Sequence, residues 1–395
     1  MSDGLIRSPG LPKDATVVVI GGGVMGTSTA YQLTRAGIRD LVLLEANELA
    51  SGSSGKPLGG VRAQFSDAAN IELGARSLTA FRRFDEDFGV DIGYRQVGYL
   101  FLIRDPADVS RYRTSIELQN ALGVSSRMIP AAVAAELSPY VDASTVIAAA
   151  WSPADGFVRP ATVVNAYATA AAALGAEVRT HSPVVGIDQA GDGRAAVRTR
   201  DGGAYITPTV ICACGPWSRQ VGAMAGVELP VEPLRRQIAF TKPMDPRPPR
   251  VPFTIDYSTT AYFHGNDDGS GLLIGIADKS QQVGFDTTVT TGWHGELRAA
   301  LAMFAPSLTQ VELAWGWAGL YEITPDFNAL IGEAETAGFR FLYAAGFSGH
   351  GLLQGPAVGE AVRDLYLRRK PAVDVSAFDV NRFRGAFERT ELTII

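Results

Sequence analysis

Cysteine, histidine and an excess of positive charge are the first things this sequence lacks. Its 395 residues include two cysteines and four histidines, too few and too scattered for a clustered zinc site. Cys212 and Cys214 lie two positions apart, a spacing that disfavours a structural disulfide and favours reduced core thiols. The formal net charge is −6, whereas a nucleic-acid-binding protein usually has a basic excess.

Long hydrophobic runs and a secretory leader are also missing. No stretch approaches the roughly 18 apolar residues needed to span a membrane. Residues 1–14 lack the basic start and apolar run of a signal peptide. Hydrophobic residues make up 46% of the chain and charged residues 19%, which is typical of a folded protein. We therefore expect a cytoplasmic protein of two or three domains, since a domain has roughly 100–200 residues.

Glycine is plentiful, and its first cluster has a functional spacing. Residues 16–20 (TVVVI) predict a buried strand, residues 21–26 (GGGVMG) have the pattern G-x-G-x-x-G, and residues 24–36 predict a helix. A second apolar strand at 41–44 ends at Glu45, which lies nineteen residues after the last glycine of the pattern. This order predicts a dinucleotide site. An acid at Glu45 accepts hydrogen bonds from ribose hydroxyls and disfavours the 2′-phosphate of NADP.

Each residue of the glycine pattern has a physical part in such a site. Gly21 permits the tight turn, Gly23 lets the backbone approach a pyrophosphate, and Gly26 lets the helix pack closely on the strand. The helix N-terminus at Val24 and Met25 offers N–H donors and a positive dipole end to the phosphate. The motif alone does not separate FAD from NAD.

The segment after Glu45 favours a flavin. Residues 46–66 (ANELASGSSGKPLGGVRAQFS) are rich in Gly and Ser and show little periodicity, so we expect a loop. An NAD site usually continues into another βα unit, whereas a donor-rich loop suits a cofactor that needs more coverage. A mobile surface loop is the alternative. The residues expected at the cofactor are Ala46, Ser51, Ser53, Ser54, Lys56, Gly59, Gly60 and Arg62.

These motifs, with four later segments, resemble the D-amino-acid oxidase superfamily of FAD enzymes. The nearer branch is similar to glycine oxidase, sarcosine oxidase and the sarcosine oxidase β subunit. The later segments are WSPADGFVRPATVVNAY at 151–167, VICACGPWS at 210–218, LYEITPDFNALIG at 320–332 and YAAGFSGHGLLQGPAVG at 343–359. The resemblance runs from about residue 16 to residue 370 and is specific to the superfamily, not to one substrate.

The resemblance implies an α/β (α+β) fold with two domains. A discontinuous, Rossmann-like FAD-binding domain would comprise residues 1–93, 150–227 and 322–395. A mainly antiparallel-sheet substrate domain would comprise 94–149 and 228–321. Apolar patterns predict further helices at 106–122, 131–137, 156–173, 293–304 and 351–369, and strands at 97–103, 229–240, 253–257, 260–264 and 272–276.

The resemblance also implies site residues and a chemistry. Hydride passes from the carbon next to an amine to flavin N5, and the imine product hydrolyses. The implied catalytic positions are Arg62, Lys56, Tyr257, Tyr321 and His350. Tyr262 and Trp317 would join the two tyrosines in an aromatic cage for the amine, although such rings are often simply core. Further cofactor contacts are implied at Val185, Cys214, Gly215, Trp217, Gly319, Gly346, Gly349, Gly351 and Leu352.

Three departures from the family pattern bear on mechanism. Ala318-Gly319 stands where some sarcosine oxidases carry a flavin-linking Cys, so we expect non-covalent FAD. Residues 352–354 (LLQ) replace a Lys that pairs with the substrate carboxylate, which implies a bulkier or less acidic substrate. The strand at 271–275 lacks the Lys that assists reaction with O₂. Either the acceptor is not O₂, or Lys56, and less favourably Lys279, takes that part.

Four functional classes stay open at this point. The first is an FAD-dependent amine or amino-acid oxidoreductase acting on a small molecule, with O₂ or another electron acceptor. The second is a flavoprotein subunit that passes electrons to a partner. The third is a low-turnover FAD-binding assembly protein, and the fourth is an NAD-dependent dehydrogenase. The substrate and its handedness are not determined by the sequence.

Overall fold

The chain, described by a computed structural model over residues 12–56, 58–336 and 338–384, divides into two compact units. Unit 1 gathers the described residues of Met1–Gly55, Pro160–Pro233 and Glu322–Thr390. The described residues of unit 2 fall in Lys56–Arg159 and Leu234–Tyr321. The described residues of 56–93 and residues 150–159, which the sequence-based division places in the first domain, belong to unit 2, and residues 228–233 belong to unit 1.

The helices and strands follow one another along the whole described chain. The helices are α1 (Val24–Arg35), α2 (Ala68–Arg82), α3 (Phe84–Phe88), α4 (Pro106–Ala121), α5 (Ala131–Leu137), α6 (Pro160–Ala173), α7 (Ser218–Met224), α8 (His294–Ala302) and α9 (Gly351–Tyr366). The strands are β1 (Lys13–Asp14), β2 (Val17–Ile20), β3 (Leu41–Leu44), β4 (Gly60–Val61), β5 (Tyr99–Ile103), β6 (Arg127–Pro130), β7 (Ala148–Ser152), β8 (Gly156–Phe157), β9 (Glu177–Arg179), β10 (Val184–Gly191), β11 (Arg194–Thr199), β12 (Ala204–Thr207), β13 (Thr209–Cys212), β14 (Glu232–Thr241), β15 (Phe253–Asp256), β16 (Tyr262–Gly265), β17 (Leu272–Gly275), β18 (Leu313–Ile323), β19 (Leu330–Ala334) and β20 (Arg340–Ala345). Within the described chain, none of the helices combines the length and apolar character needed to cross a bilayer.

Unit 1 is built on a six-stranded sheet of order β19-β20-β13-β2-β3-β9. Its strands run parallel from β20 to β9, and β19 pairs antiparallel with β20 at one edge. All four residues of β2 and all four of β3 are buried, which explains why both strands are continuous apolar runs. The carboxyl ends of the parallel strands therefore lie at one edge of the sheet.

Within unit 1, helices and a smaller sheet cover the six-stranded sheet. Helix α1 packs against α6 and α9, and the fit to α9 is close because Ser28 Oγ donates to the carbonyl of Gly355 at 2.9 Å. The four-stranded sheet β1-β12-β11-β10 shares a hydrophobic core with the large sheet, to which Val18, Val42 and Val197 contribute. The large sheet is thus covered by other elements of unit 1, and its loops begin from buried strands.

Unit 2 is built on an eight-stranded sheet of order β18-β14-β17-β16-β15-β5-β7-β6. The pairs from β14 to β15 and from β5 to β6 are antiparallel, and β15 pairs in parallel with β5. One face packs on α8 through Leu297 and Phe263. The other face bears an aromatic cluster that includes Tyr99, Phe253 and Tyr262.

Candidate functional site

The glycine pattern forms a strand–turn–helix in unit 1 as predicted from the sequence. Gly21 follows β2 with φ +113°, and a Cβ there would lie 2.2 Å from the carbonyl oxygen of Ala213. A Cβ on Gly26 would lie 1.8 Å from the carbonyl oxygen of Gly21. Both positions therefore accept only glycine, because a side chain would displace backbone.

The start of α1 presents backbone donors. Gly23 precedes the helix and makes no side-chain cap of its own. Ser54 provides one from a distance, since its Oγ accepts from the amide of Val24 at 3.0 Å. In the described chain, the amides of Gly23 and Met25 have no acceptor. Free amides at a helix N-terminus are a suitable site for a phosphate.

Glu45 closes this turn from the end of β3. Its Oε2 accepts from the amide of Gly22 at 2.6 Å, and its Oε1 accepts from the amide of Asn47 at 2.8 Å. The carboxylate is half-buried, whereas Ala46 and Ser51 are exposed. Each carboxylate oxygen keeps a lone pair for a further donor, so Glu45 is fixed and still able to bind a hydroxyl.

The turn after β13 converges on the same end of the sheet. Cys214 donates its thiol to the carbonyl of Ile20 at 3.2 Å, and Gly215 has φ +52°. Trp217 is 41% exposed, and its ring borders Gly52, where a Cβ would lie 3.4 Å from Cζ3. Val185 on β10 is also 41% exposed. The 51–55 segment and the 213–217 turn thus meet in unit 1.

A third segment, between β20 and α9, joins them. Gly346, Ser348 and Gly349 all have positive φ (71°, 49° and 95°), so the chain turns sharply before α9. The amide of His350 donates to the carbonyl of Phe347 at 2.8 Å. His350 is 6% exposed and Leu352 7%. A Cβ on Gly351 would lie 3.7 Å from Met25 Cε, which places the start of α9 against that of α1.

Glu322 lies beneath this turn and was not predicted from the sequence. Its Oε2 accepts from the amide of Gly346 at 3.0 Å, and burial raises its pKa to about 7 against the opposing effect of the Gly346 and Phe347 amides. Oε2 also lies 3.7 Å from where a Cβ on Gly215 would be, and Oε1 the same distance from one on Gly351. An acid beside Tyr321 in YEITPD was visible in the sequence, but its burial was not.

In unit 2, Gly59, Gly60 and Lys56 of the loop after Glu45 each make close contacts with other parts of the unit. Gly59 has φ +80°, and a Cβ there would lie 2.2 Å from the carbonyl oxygen of Val158. A Cβ on Gly60 would lie 1.8 Å from the hydroxyl of Tyr99. Lys56 is exposed, and its carbonyl accepts from Trp317 Nε1 at 2.6 Å. The Lys56 stem passes Gly319, where a Cβ would lie 2.7 Å from the lysine Cβ.

Arg62 is buried inside unit 2. It is 2% exposed, Nη1 donates to the carbonyl of Gln64, and the guanidinium lies 4.3 Å from the ring centre of Phe65. Asp155, which the sequence analysis did not identify, is fully buried nearby and accepts from the amide of Ala63 at 3.1 Å. Burial raises the pKa of Asp155 to about 7, and the Ala63 amide and the Arg62 charge oppose that rise.

The four aromatic residues predicted to form a cage lie in different surroundings. Tyr262 is 5% exposed, and the guanidinium of Arg236 lies 5.3 Å from the ring centre of Tyr321. Trp317 packs on Phe240 with ring centres 5.0 Å apart. By contrast, Tyr257 packs edge-on against Tyr112 of α4 at 5.1 Å. Arg236 was not predicted, because nothing in LRRQ distinguishes it from its neighbour.

Comparisons with known proteins agree with these features. Residues 16–365 match the DAO family, described as FAD dependent oxidoreductase. The 4-methylaminobutanoate oxidase (formaldehyde-forming) of Paenarthrobacter nicotinovorans is 29% identical over 385 residues, which is 95% of this chain and 46% of that protein. The chain spans less than half the length of the curated relatives that it matches first.

Solved structures match over nearly their whole length. The L-proline dehydrogenase from P. horikoshii is 33% identical with a TM-score of 0.88, covering 95% of this chain and 99% of that one. The glycine oxidase from Geobacillus kaustophilus is 25% identical with a TM-score of 0.82, covering 94% and 99%. The predicted mixed α/β fold class and the family resemblance are thereby confirmed. The chain belongs to the DAO family of FAD-dependent oxidoreductases.

Proposed function

We propose that this chain binds FAD non-covalently and oxidises the C–N bond of an amine or amino acid, with a secondary (N-methyl) or cyclic amine preferred. The observation that carries the proposal is the meeting in unit 1 of three segments distant in sequence. The Gly21–Gly26 turn contacts Ala213, and Gly351 contacts Met25. Together with the family match, this convergence supports a dinucleotide cofactor rather than a chance glycine-rich turn.

The residues of unit 1 fit FAD chemically. The unpaired amides of Gly23 and Met25 would bind the pyrophosphate, and Glu45 would bind ribose hydroxyls. The 346–351 turn and the N-terminus of α9 would stabilise negative charge on the reduced cofactor. Gly21 and Gly26 have no space for a side chain, so they let the strand, the turn and helix α1 pack closely around the phosphate site. The chain's own part is to bind and orient the cofactor, whose chemistry is intrinsic to it.

The cysteines support a non-covalent link. Cys212 is fully buried on β13, and the Cys214 thiol donates to the Ile20 carbonyl. Ala318-Gly319 stands at the place where some family members carry the linking Cys, and a Cβ on Gly319 would lie 2.7 Å from Lys56 Cβ. No thiol of the described chain therefore stands at that position.

The substrate class follows from the relatives and from unit 2. The relatives are named for 4-methylaminobutanoate, L-proline and glycine, all amines that carry a carboxylate. Bound FAD would accept the hydride from the carbon next to the amine nitrogen, which leaves an imine. In unit 2, the rings of Tyr262, Tyr321 and Trp317 would hold the amine by cation–π attraction. The electron acceptor would be O₂ or a partner protein, and peroxide release in air would distinguish the two.

Spectroscopy of the purified protein tests the proposal. We expect a flavin spectrum, and all of the flavin in the supernatant after acid precipitation. We expect anaerobic bleaching by at least one of sarcosine, L-proline, glycine and 4-methylaminobutanoate. Flavin retained in the pellet would disprove the non-covalent link. A colourless protein whose melting is unchanged by added FAD, or a yellow protein that none of these compounds bleaches, would disprove the function.

A further inference from the structure

Glu322, near the end of β18, has a buried carboxyl group that makes no ion pair with any residue that the structure describes. It is 8% exposed, and its Oε2 accepts from the amide of Gly346 at 3.0 Å. The amide of Ser348 also donates to the backbone carbonyl of Glu322 at 3.0 Å. Because neither a cation nor bulk water stabilises the ionised form, the protonation of this carboxyl depends strongly on any other charge in its surroundings.

Glu322 lies where the segments proposed to bind the cofactor meet in unit 1. A Cβ on Gly215, in the turn after β13, would lie 3.7 Å from Oε2. A Cβ on Gly351, at the start of α9, would lie 3.7 Å from Oε1 and the same distance from Cε of Met25 in α1. The carboxyl is therefore next to the backbone that the proposed function places around the cofactor.

Two cysteines and one histidine are the titratable side chains on the turns around Glu322. Cys212 is fully buried on β13. Its hydrogen bond with Cys214 lowers the pKa of Cys212, and the charge of Glu322 opposes that effect. The same hydrogen bond and burial raise the pKa of Cys214, with a smaller contribution from the charge of Glu45. His350, which is also buried, precedes α9 in the other turn.

The Glu322 carboxyl is close to half-ionisation at neutral pH. Burial raises its pKa to about 7, and the amides of Gly346 and Phe347 oppose that rise. A negative charge added nearby raises the pKa of a carboxyl further, because like charges disfavour the ionised form. At neutral pH and above, new negative charge at the 346–351 turn would therefore draw a proton onto Glu322.

We propose that Glu322 couples proton uptake to reduction of the cofactor, by taking one proton from solvent as negative charge accumulates at the 346–351 turn. The hydride brings two electrons and one proton to the cofactor and adds one negative charge there. The proton from solvent forms an O–H bond on the Glu322 carboxylate, so the added charge is cancelled and no other bond breaks. The proposal rests on the FAD binding proposed above and adds a control of the reduction potential by pH.

The pH dependence of the reduction potential tests this assignment in the FAD-loaded protein. Redox titration with dithionite and reference dyes, repeated from about pH 6 to about pH 9, counts the protons taken up per two electrons. One proton lowers the potential by about 30 mV per pH unit, and two protons by about 59 mV. We expect the wild type to approach the two-proton slope above about pH 7. E322Q should keep the one-proton slope throughout, because its amide does not titrate.

Further variants separate Glu322 from its neighbours. E322D keeps an ionisable carboxyl at this position and should recover the steeper slope. E232Q, which removes an exposed carboxylate paired with Arg219 in the same unit, is the control and should keep the wild-type slope. A two-proton slope that persists in E322Q and is lost in C212S or H350N would assign the proton to that neighbour and overturn the proposal.

Infrared difference spectroscopy of the wild type decides the question even if E322Q does not retain FAD. With carbon-13-labelled glutamate at about pH 8, reduction should replace a carboxylate band by a protonated-carboxyl band that shifts with the label. The absence of that change, or a two-proton slope in E322Q, overturns the proposal. If both signatures are seen and no amine reduces the protein, the amine oxidation proposed above fails alone, because dithionite supplies the electrons here. A protein that does not bind FAD overturns both.

Discussion

At the scale of single residues, two of the buried acids of the described chain, Glu322 and Asp155, accept hydrogen bonds from backbone amides, whereas Asp256 and Asp326 form ion pairs with arginines. Glu322 in unit 1 accepts from Gly346, and Asp155 in unit 2 accepts from Ala63. Each acid thereby fixes a turn next to a segment that the proposed function uses. Neutral amides only partly replace hydration, so the charged forms remain costly. We therefore infer that both carboxyl groups hold their turns in place and are mostly protonated below neutral pH.

At the scale of single residues, the position of Lys56 leads to a prediction about the reaction of the reduced flavin with O₂. Its side chain is exposed, and its stem is fixed by Gly319 and by the Trp317 indole, which donates to the Lys56 carbonyl. If O₂ is the acceptor, a cation held there stabilises the negative charge that develops on oxygen. We expect K56M to slow reoxidation of the reduced flavin by at least about tenfold, as measured by stopped-flow mixing with oxygenated buffer.

Lys242 supplies the control, because it is exposed in the same unit and forms an ion pair with Glu312. K242M should reoxidise at the wild-type rate. Reoxidation of K56M at the wild-type rate would remove Lys56 from the reaction with oxygen. It would leave a different acceptor, or a different cation, as the remaining explanation.

At the scale of elements, helix α1 begins without a capping side chain of its own. Gly23 offers none, and the Oγ of Ser54, thirty residues further on, accepts from Val24 instead. The cap therefore joins the 51–55 segment to the proposed phosphate site. It also leaves neighbouring amides available to a ligand, which a local Ser or Asp cap would consume.

Removing this cap should weaken both the fold and the cofactor site. In S54A we expect a loss of about 1 kcal/mol in the free energy of unfolding, together with weaker FAD binding, because the 51–55 segment loses its tie to α1. Urea unfolding and FAD titration of the apoprotein measure the two effects. S110A, at an exposed serine of unit 2, is the control. Equal stability and equal FAD affinity in S54A and S110A would contradict this account of the cap.

Elements with a clear local signal were predictable, and others were not. The strand β2, the helix α1 and the strand β3 follow from an apolar run, a glycine turn and a second run. Helix α2 was missed although Asp67 caps it by accepting from Ala69 and Asn70. Strand β7 (AAAWS) was missed because alanines carry no strand preference. It forms because β5 and β6 pair with it on both sides.

The residues of the candidate site can also be divided into those that were predictable from the sequence and those that were not. Glycines such as Gly21 and Gly59 were predictable because the turns that need them have local sequence signatures. Glu322, Asp155 and Arg236 were not, because their importance comes from burial and from partners distant in sequence. Arg235 and Arg236 cannot be told apart in the sequence, and only the tertiary structure shows that Arg235 pairs with Asp286 whereas the Arg236 guanidinium lies over the ring of Tyr321.

At the scale of the whole molecule, each unit is assembled from stretches far apart in the sequence. Unit 1 uses three stretches of the described chain, and unit 2 uses two that interrupt them. The glycine-rich motif near the N-terminus and helix α9 near the C-terminal end of the described chain therefore belong to one unit. A truncation at either end would remove part of the proposed cofactor site rather than a separable module.

The buried acids also make the stability of the folded protein depend on pH. Glu322 has this effect in unit 1 and Asp155 in unit 2. Burial raises the pKa of Glu322 from 4.5 to about 7, and that of Asp155 from 3.8 to about 7. Well below the unfolded pKa values of 3.8 for Asp155 and 4.5 for Glu322, both acids are protonated whether the chain is folded or unfolded, and their contribution to stability is fully present. As the pH rises towards 7, the unfolded chain releases these protons first, so stability falls. His264 acts in the opposite direction, because burial lowers its pKa to about 4 and its contribution is lost as the pH falls below about 6.5.

We therefore expect E322Q to reduce the loss of stability between pH 5 and 7.5 in unit 1, and D155N to do the same in unit 2. The change should be a few kcal/mol at most, since one unit of pKa corresponds to about 1.4 kcal/mol. Hydrogen exchange of the backbone amides at the two pH values, followed separately in each unit, measures the effect. E86Q, which alters an exposed acid in a surface pair with Arg83, should keep the wild-type pH dependence. If E322Q or D155N also kept the wild-type pH dependence of stability, the replaced acid would already be ionised in the folded protein. The conclusion that this acid positions its turn in the protonated form would then be wrong.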